Sequence, residues 1–242
     1  MTLPTSQRIA DVLSKFEYVE HRRNAVMDEL FSAKNENRDV KFLIHTSAEV
    51  VATARETFDY LGKDIVENYL LPNTNKVKLK KDYAAGKLKA YFPFHEQQVE
   101  ELHGNFHELK HISPALYMDL LNFVKSVAHN RQIVNTLFNY GWFMHLKNMV
   151  NEKKHDRLVE IISEPNQELL VNGKELFMVI PKKKQQGWSM LAVESGMQIK
   201  EAPEYRFAYN NIEVGEFCLF AAKATEIVVR SFYANHFHSS VP

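Results

Sequence analysis

Apolar side chains recur at helical spacing through most of the first 160 residues of the chain. Ile9, Val12, Phe16, Val19, Val26 and Leu30 form one such stripe and predict a long helix from about Ser6 to Ala33. Arg23 interrupts it, standing where an apolar residue is expected between Val19 and Val26. Asn35-Glu36-Asn37-Arg38-Asp39 predicts a polar turn. A second helix is expected from Thr46 or Ser47 as N-cap, burying Val51, Ala54, Phe58, Leu61 and Ile65 and closing at Leu71-Pro72. These two helices should form an antiparallel pair. Residues 73–90 read as a basic loop, and Ala90-Tyr91-Phe92-Pro93-Phe94 as a short extended apolar piece. Ser113-Pro114 opens a helix carrying Tyr117, Leu120, Leu121, Val124 and Val127. A further helix, apolar on most sides, is expected from about Gln132 through Trp142 and Phe143 into a polar end.

After Ile162 the pattern changes. Glu164-Pro165-Asn166 reads as a break, and Glu168–Val171 and Glu175–Ile180 flank Asn172-Gly173 as a hairpin. Trp188–Val193 and Tyr205–Tyr209 are further strand candidates. Between Glu216 and His236, Cys218, Ala222, Thr225, Val229 and Phe232 keep helical spacing, while Ile227-Val228-Val229 favours a strand; helix is the preferred reading. The fold class is therefore α+β: an N-terminal helical bundle over 1–162, then a small antiparallel sheet with a C-terminal helix over 163–242. The boundary separates either two domains or two layers of one continuous domain.

The 242 residues suffice for a substantial core, and a formal net charge of zero removes any global argument for a nucleic-acid or membrane-surface partner. Cys218 is the single cysteine, which excludes an intrachain disulfide and cysteine-rich zinc modules and fits a reducing compartment. The first six residues lack signal-peptide character and no apolar run is long enough to span a bilayer, so a cytoplasmic protein with no membrane partner is expected. There is no Gly-rich phosphate loop, nucleophile elbow or HExxH motif, and no cofactor is expected.

Candidate chemistry centres on Trp142–Asp156, where an apolar helix turns polar. Asn148, Asn151, Glu152 and His155 share one helical face. His155 suits a general acid or base, Lys154 or Arg157 a phosphate contact, and Asn151 the orientation of an imidazole or substrate. The alternative is an ordinary polar helix end. Arg23 is the second candidate, with Asp59, Asp64 or Asp156 as partner, or with its stem packed and its head in water. His145 reads as a buried, hydrogen-bonded core histidine. His103, His107 and His111 recur every four residues and would stack on one helical face as a zinc site, though Glu101 and Glu108 complete no metal motif. His236-x-His238 reads as a solvated tail. Lysines of 76–89, including Lys80 and Lys81, and the run containing Lys183 join Lys154 as candidate nucleic-acid contacts beside Tyr83, Tyr91 and Trp188. Lysines in loops are otherwise simply solvated.

Two resemblances add to these readings. Asn151-x-x-Lys154-His155, following a helix with Trp142 and Leu146, is similar to the Asn-x-x-Lys-His or Asp-Lys-His-Arg signature of a loose group of uncharacterised bacterial proteins. Similar patterns in that group correspond to Ala54–Leu70 and Tyr91-Phe92-Pro93-Phe94. This resemblance covers the first two-thirds of the chain and implies a helical N-terminal part followed by a β-rich part, with no activity to carry over. The chain departs from the stricter form, since Asp156 follows His155 and the arginine comes one place later as Arg157. A bundle placing an arginine near a histidine also resembles the HEPN ribonucleases, whose Arg-x(4–6)-His motif cleaves RNA without metal at a dimeric groove. Arg230 and His236 have that spacing. The resemblance implies a homodimer, with His155 as acid/base, Arg23 or Arg157 as phosphate ligand and Asn151 as orienting group.

The expectation is a binding or interaction module whose partner is unknown, protein and RNA being the candidates. The alternatives are a metal-independent HEPN-like ribonuclease, or a related phage-defence or toxin protein, and a metal-dependent hydrolase built on His103, His107 and His111.

Overall fold

The computed structural model describes residues 5–36, 40–85, 91–100, 106–153, 160–171, 174–179 and 198–237. Two long helices, α1 (Thr5–Glu36) and α2 (Lys41–Ile65), lead into a π-helical turn (Val66–Leu70) and α3 (Leu71–Asn73). Then come α4 (Val77–Ala84), the short α5 (Gln97–Glu100) and α6 (Leu109–Ile112), α7 (Pro114–Ala128) and α8 (Trp142–Lys153). Strands β1 (Ile161–Val171), β2 (Lys174–Val179) and β3 (Gln198–Phe207) precede the last helix, α9 (Val214–His236). The class is α+β, with a helical bundle, a small antiparallel sheet and a C-terminal helix.

The α1 stripe is buried as its spacing predicts: Ile9, Val12, Phe16, Val19, Val26 and Leu30 all face the core. Cross-helix pairs run in opposite directions along α1 and α2, with Arg8 at Asp64, Lys15 at Glu56 (2.7 Å) and Arg22 at Glu49 (2.6 Å), so the pair is antiparallel. Helix α2 starts earlier than a Thr46 or Ser47 cap allows. Val40 is its N-cap, and both hydroxyl residues are buried inside the helix, where Ser47 Oγ donates to the Ile44 carbonyl at 3.1 Å. Pro72 does not end the helix either. Its ring lacks an N–H and crowds the carbonyl four residues back. The preceding turn widens, the Leu71 N–H reaching the Val66 carbonyl, and helical backbone continues to Asn73.

Part of the basic stretch expected as loop forms α4. Residues 132–141, expected as helix, instead make a tight loop pinned by a bridge between Gln132 and Asn139. Asn130 and Asn135 adopt left-handed backbone (φ 48° and 61°), which asparagine tolerates and which stops a right-handed helix. Helix α8 therefore begins only at Trp142.

Phe58 of α2 is the hub of the core. Its ring meets Phe92 (5.0 Å), Phe94 (5.2 Å), Phe123 (5.9 Å) and Phe143 (5.4 Å) between centroids, joining the 91–94 segment, α7 and α8. The α9 stripe Cys218, Ala222, Thr225, Val229 and Phe232 is buried against α1 and α2, which resolves the 216–236 segment as helix. Glu213 caps it, its carboxylate accepting the Glu216 N–H at 2.6 Å.

The sheet has the order β2-β1-β3, both pairs antiparallel, and Val171 pairs with Lys174 as the hairpin predicts. Glu164-Pro165-Asn166 is not a break, because β1 runs through it with Pro165 opposite Pro203. Ala208 N–H donates to the Glu160 carbonyl at 3.0 Å. Alternation from that bonded pair puts Pro165 and Pro203 at a non-hydrogen-bonded position, where neither needs an N–H. Among the described residues β2 pairs with β1 only from Glu168 onward. Tyr205 closes the sheet on the bundle, its hydroxyl 3.3 Å from the Ala33 carbonyl, and Phe207 packs on Phe217 of α9. The Trp188–Val193 candidate lies outside the described residues. Among the described residues no helix is long and apolar enough to cross a membrane.

Candidate functional site

Helix α8 has two faces. Phe143, Leu146 and Met149 are buried, while Lys147 and Asn148 are half-buried and Asn151 is exposed. Asn148 Nδ2 donates to the Tyr209 hydroxyl at 3.0 Å, and the His145 ring stands edge-on to the same tyrosine. His145 is half-buried rather than a core histidine, and burial holds its imidazole below the usual range. Asn151 is exposed at the end of this face. Lys154, His155, Asp156, Arg157 and Lys183 lie outside the described residues.

Asp156 lies outside the described residues, and Arg23 pairs with neither Asp59 nor Asp64. It turns back one helical turn to Glu20, with contacts of 2.8 and 3.1 Å, and also reaches Asn24 Oδ1 at 2.6 Å. Lys223 approaches the same Glu20 at 3.2 Å, which makes the group a surface charge network on α1 and α9. Lys80 and Lys81 are exposed on α4. Arg230 and His236 point apart, because six residues along a helix is a rotation of about 240°. Arg230 pairs with Glu226 at 2.9 Å, whereas His236 is buried and bonds Asp119 Oδ2 through Nε2 at 2.8 Å. His236 is thus an anchored core residue, not part of a solvated tail. His107 Nδ1 contacts the Glu100 carbonyl at 3.0 Å and His111 is exposed. His103 lies outside the described residues, among which no group of three or more His, Cys, Asp or Glu is arranged to hold a metal.

A different basic cluster forms where α2, the turn after Phe94 and α8 meet. Gln98 Oε1 accepts the N–H groups of Phe94 (2.9 Å) and His95 (3.2 Å), fixing that turn. Lys147 Nζ meets His95 Nε2 at 2.5 Å. An ammonium only donates, so this nitrogen must accept and the neutral ring carries its proton on Nδ1. Arg55 is buried, packs 4.8 Å over the Phe94 ring and bonds Asp59 Oδ1 at 2.6 Å.

All three groups are disfavoured as cations. Burial pulls the Arg55 guanidinium down against the opposing charge of Asp59. Burial first, then Arg55, lowers Lys147. For His95, exposed overall, burial is again the first cause and the Lys147 ammonium the second. With Arg55 and Lys147 charged and Asp59 the one carboxylate among the described residues bonded into the cluster, positive charge is left over in a half-buried place. Perturbed groups of this kind mark binding and reaction sites.

A second polar group is mostly internal. Arg8 NH1 lies 3.1 Å from Asp64 Oδ1, and the Tyr233 hydroxyl donates to Asp64 Oδ2 at 2.6 Å. Arg8 also contacts Glu67, which accepts from the Tyr83 hydroxyl. Asp64 has no exposure at all and Arg8 6 %, while Glu67 and Tyr83 at the edge of the network are partly exposed, and together they tie α1, α2, α4 and α9. Cys218 is likewise sealed, and burial pushes its thiol far above the reactive range.

Neither Arg55, His95 and Lys147 nor Arg8 was singled out by the pattern of the sequence. The local trace of the first group is Arg55 followed four residues later by Asp59 on one helix face. No family model, no curated protein and no solved structure matches the chain.

Proposed function

We propose that the chain is a binding module whose α2–α8 face takes a phosphate-bearing ligand. The observation that carries this reading is the convergence of Arg55, His95 and Lys147 on one place where, among the described residues, Asp59 alone is bonded as counter-charge. An arriving anion lowers the mutual repulsion of Arg55 and Lys147 and lets His95 protonate, so binding strengthens as the pH falls toward the imidazole's range. Asn151, four residues beyond Lys147 on the same helical face, extends the polar surface.

The test is titration of inorganic pyrophosphate and of a short 5′-phosphorylated RNA into wild type and Lys147→Ala, read by the ring resonances of His95. Charge-assisted hydrogen bonds contribute roughly 1.5–3 kcal/mol, so the variant should bind about ten to a hundred times more weakly. Equal binding by the two proteins refutes the site. Incubating the same RNA with and without chelator, for wild type and His155→Ala, separates binding from the ribonuclease alternative. Chelator-resistant cleavage lost in His155→Ala would make the face a substrate-binding surface of a nuclease.

A further inference from the structure

Helices α7 and α9 leave between them a cleft of about 240 Å³, which Tyr140 also lines. The α7 wall is Asp119, Asn122, Phe123 and Ser126, one face of a helix by its steps of three, one and three. The α9 wall is Ile227, Val228, Ser231, Phe232 and Asn235, in steps of one and three. Two facing helices in a bundle would ordinarily interdigitate apolar side chains here. Here polar side chains from both helices border a gap beside Ile227 and Val228, and no hydrogen bond within the described chain joins the side chains of Asn122, Ser126, Ser231 or Asn235 to another group.

The floor is apolar and firm. Phe123 and Phe232 are almost fully buried, and the Tyr140 ring stands edge-on to Phe123 at 5.8 Å between centroids. Asp119 is held in place, its Oδ2 bonded to buried His236 at 2.8 Å while the Tyr69 hydroxyl donates to the backbone carbonyl of His236. One carboxylate oxygen is therefore oriented from behind, with the side chain still 40 % open to solvent. No lysine or arginine lines the cleft, so its chemistry differs from that of the α2–α8 face and does not suit an anion.

The volume falls below the ~300–1,000 Å³ of pockets for drug-sized ligands. Serine and tyrosine hydroxyls and asparagine amides each donate and accept, and the carboxylate only accepts. That mixture, beside the half-exposed Ile227 side chain and the Tyr140 ring, matches an occupant with several hydroxyl groups and one C–H face. We propose that the α7–α9 cleft is a binding site for a neutral polyhydroxylated molecule of monosaccharide size.

The experiment is an amide-resonance titration of the intact chain with glucose, galactose, mannose, ribose and N-acetylglucosamine, with tetramethylammonium as the cationic comparison. Asn122→Ala/Asn235→Ala is the variant, both sites being exposed, and its melting curve checks that it folds. The expected result is a saturable shift confined to cleft residues with at least one sugar, at a Kd of about 1 mM, weakened about tenfold or more in the variant. The proposal is overturned by no saturable shift with any sugar, by a shift that the folded variant leaves unchanged, or by a response to tetramethylammonium alone. A Lys147→Ala protein should bind the sugar as wild type does, which keeps this test separate from that of the phosphate face.

Discussion

Replacing Arg8 with methionine should destabilise the protein by about 3–5 kcal/mol at pH 7, the range for breaking one partner out of a buried ion pair. Methionine keeps most of the stem's volume, so packing changes little and the loss comes from the charge. Asp64 is completely buried, and Arg8 NH1 at 3.1 Å is its cationic neighbour, leaving only the Tyr233 hydroxyl at 2.6 Å after the substitution. Coulomb attraction at that separation, with an effective dielectric constant near 20, is roughly 5 kcal/mol, which sets the same scale. For a chain of this length the midpoint of thermal unfolding should fall by roughly 10 °C.

The pH dependence tests the cause. Burial raises the Asp64 carboxyl, with Tyr233 and Arg8 opposing the rise and Glu67 adding to it. An acid whose folded pKa is raised binds its proton more tightly in the folded state. Its effect on stability therefore becomes unfavourable as the pH climbs from the unfolded value of about 4 through the folded one. Losing Arg8 raises that folded value further, so the deficit of the variant should grow between about pH 4 and pH 7. Asp64→Asn in the same background should restore part of the loss, because the amide needs no counter-charge. Urea unfolding of the four proteins of this cycle at both pH values is the assay. A loss below about 1 kcal/mol at pH 7, or one that does not change with pH, would refute the reasoning.

Lys147→Met should move the His95 titration upward toward the ordinary imidazole range, read by NMR of the ring protons, since the ammonium is the second cause of its depression. A histidine with a lowered folded pKa costs stability as the pH falls from about 6.5 through that lowered value, so the variant should lose less stability on acidification over this window. Gly141→Ala should lower stability by about 1–2 kcal/mol in a thermal melt, because an added Cβ would overlap Asn130 Oδ1, the acceptor of the Gly141 N–H at 3.1 Å. Unchanged melting would show that the Asn130–Gly141 contact does not secure the loop.

How much could be read from the chain depended on burial. The α1 and α9 stripes were legible because every apolar position in them is covered, Val26 and Val229 with no exposure at all. The run from Ile133 to Phe138 misled for the opposite reason. It has helical density of apolar residues, yet Val134 and Leu137 are 77 % and 93 % exposed and the left-handed asparagines decide the backbone. Pro72 and Pro165 were read as stops because a missing N–H usually ends an element, whereas a widened turn and a non-hydrogen-bonded strand position absorb them. The candidate site was hidden by distance along the chain. Arg55, His95 and Lys147 come from three separate elements, and each alone looks like an ordinary surface residue. Arg23 drew attention because it breaks a stripe, but a local glutamate satisfies it.

The wide turn at Val66–Leu70 amounts to one residue inserted into an otherwise regular helix. Up to Ile65 the inward positions advance by three or four, and then the frame slips, so that Leu70 instead of Tyr69 becomes fully covered while Asn68 stays outside. One continuous rod thus carries two hydropathic phases. The first seats α1 and α9, and the second turns toward α6, where Thr74 Oγ1 donates to Glu108 at 2.6 Å. Excising Asn68 would merge the phases and swing everything from Tyr69 to Thr74 about 100° around the axis, away from α6. A single residue therefore lets the segment address two sides of the bundle without a loop between them.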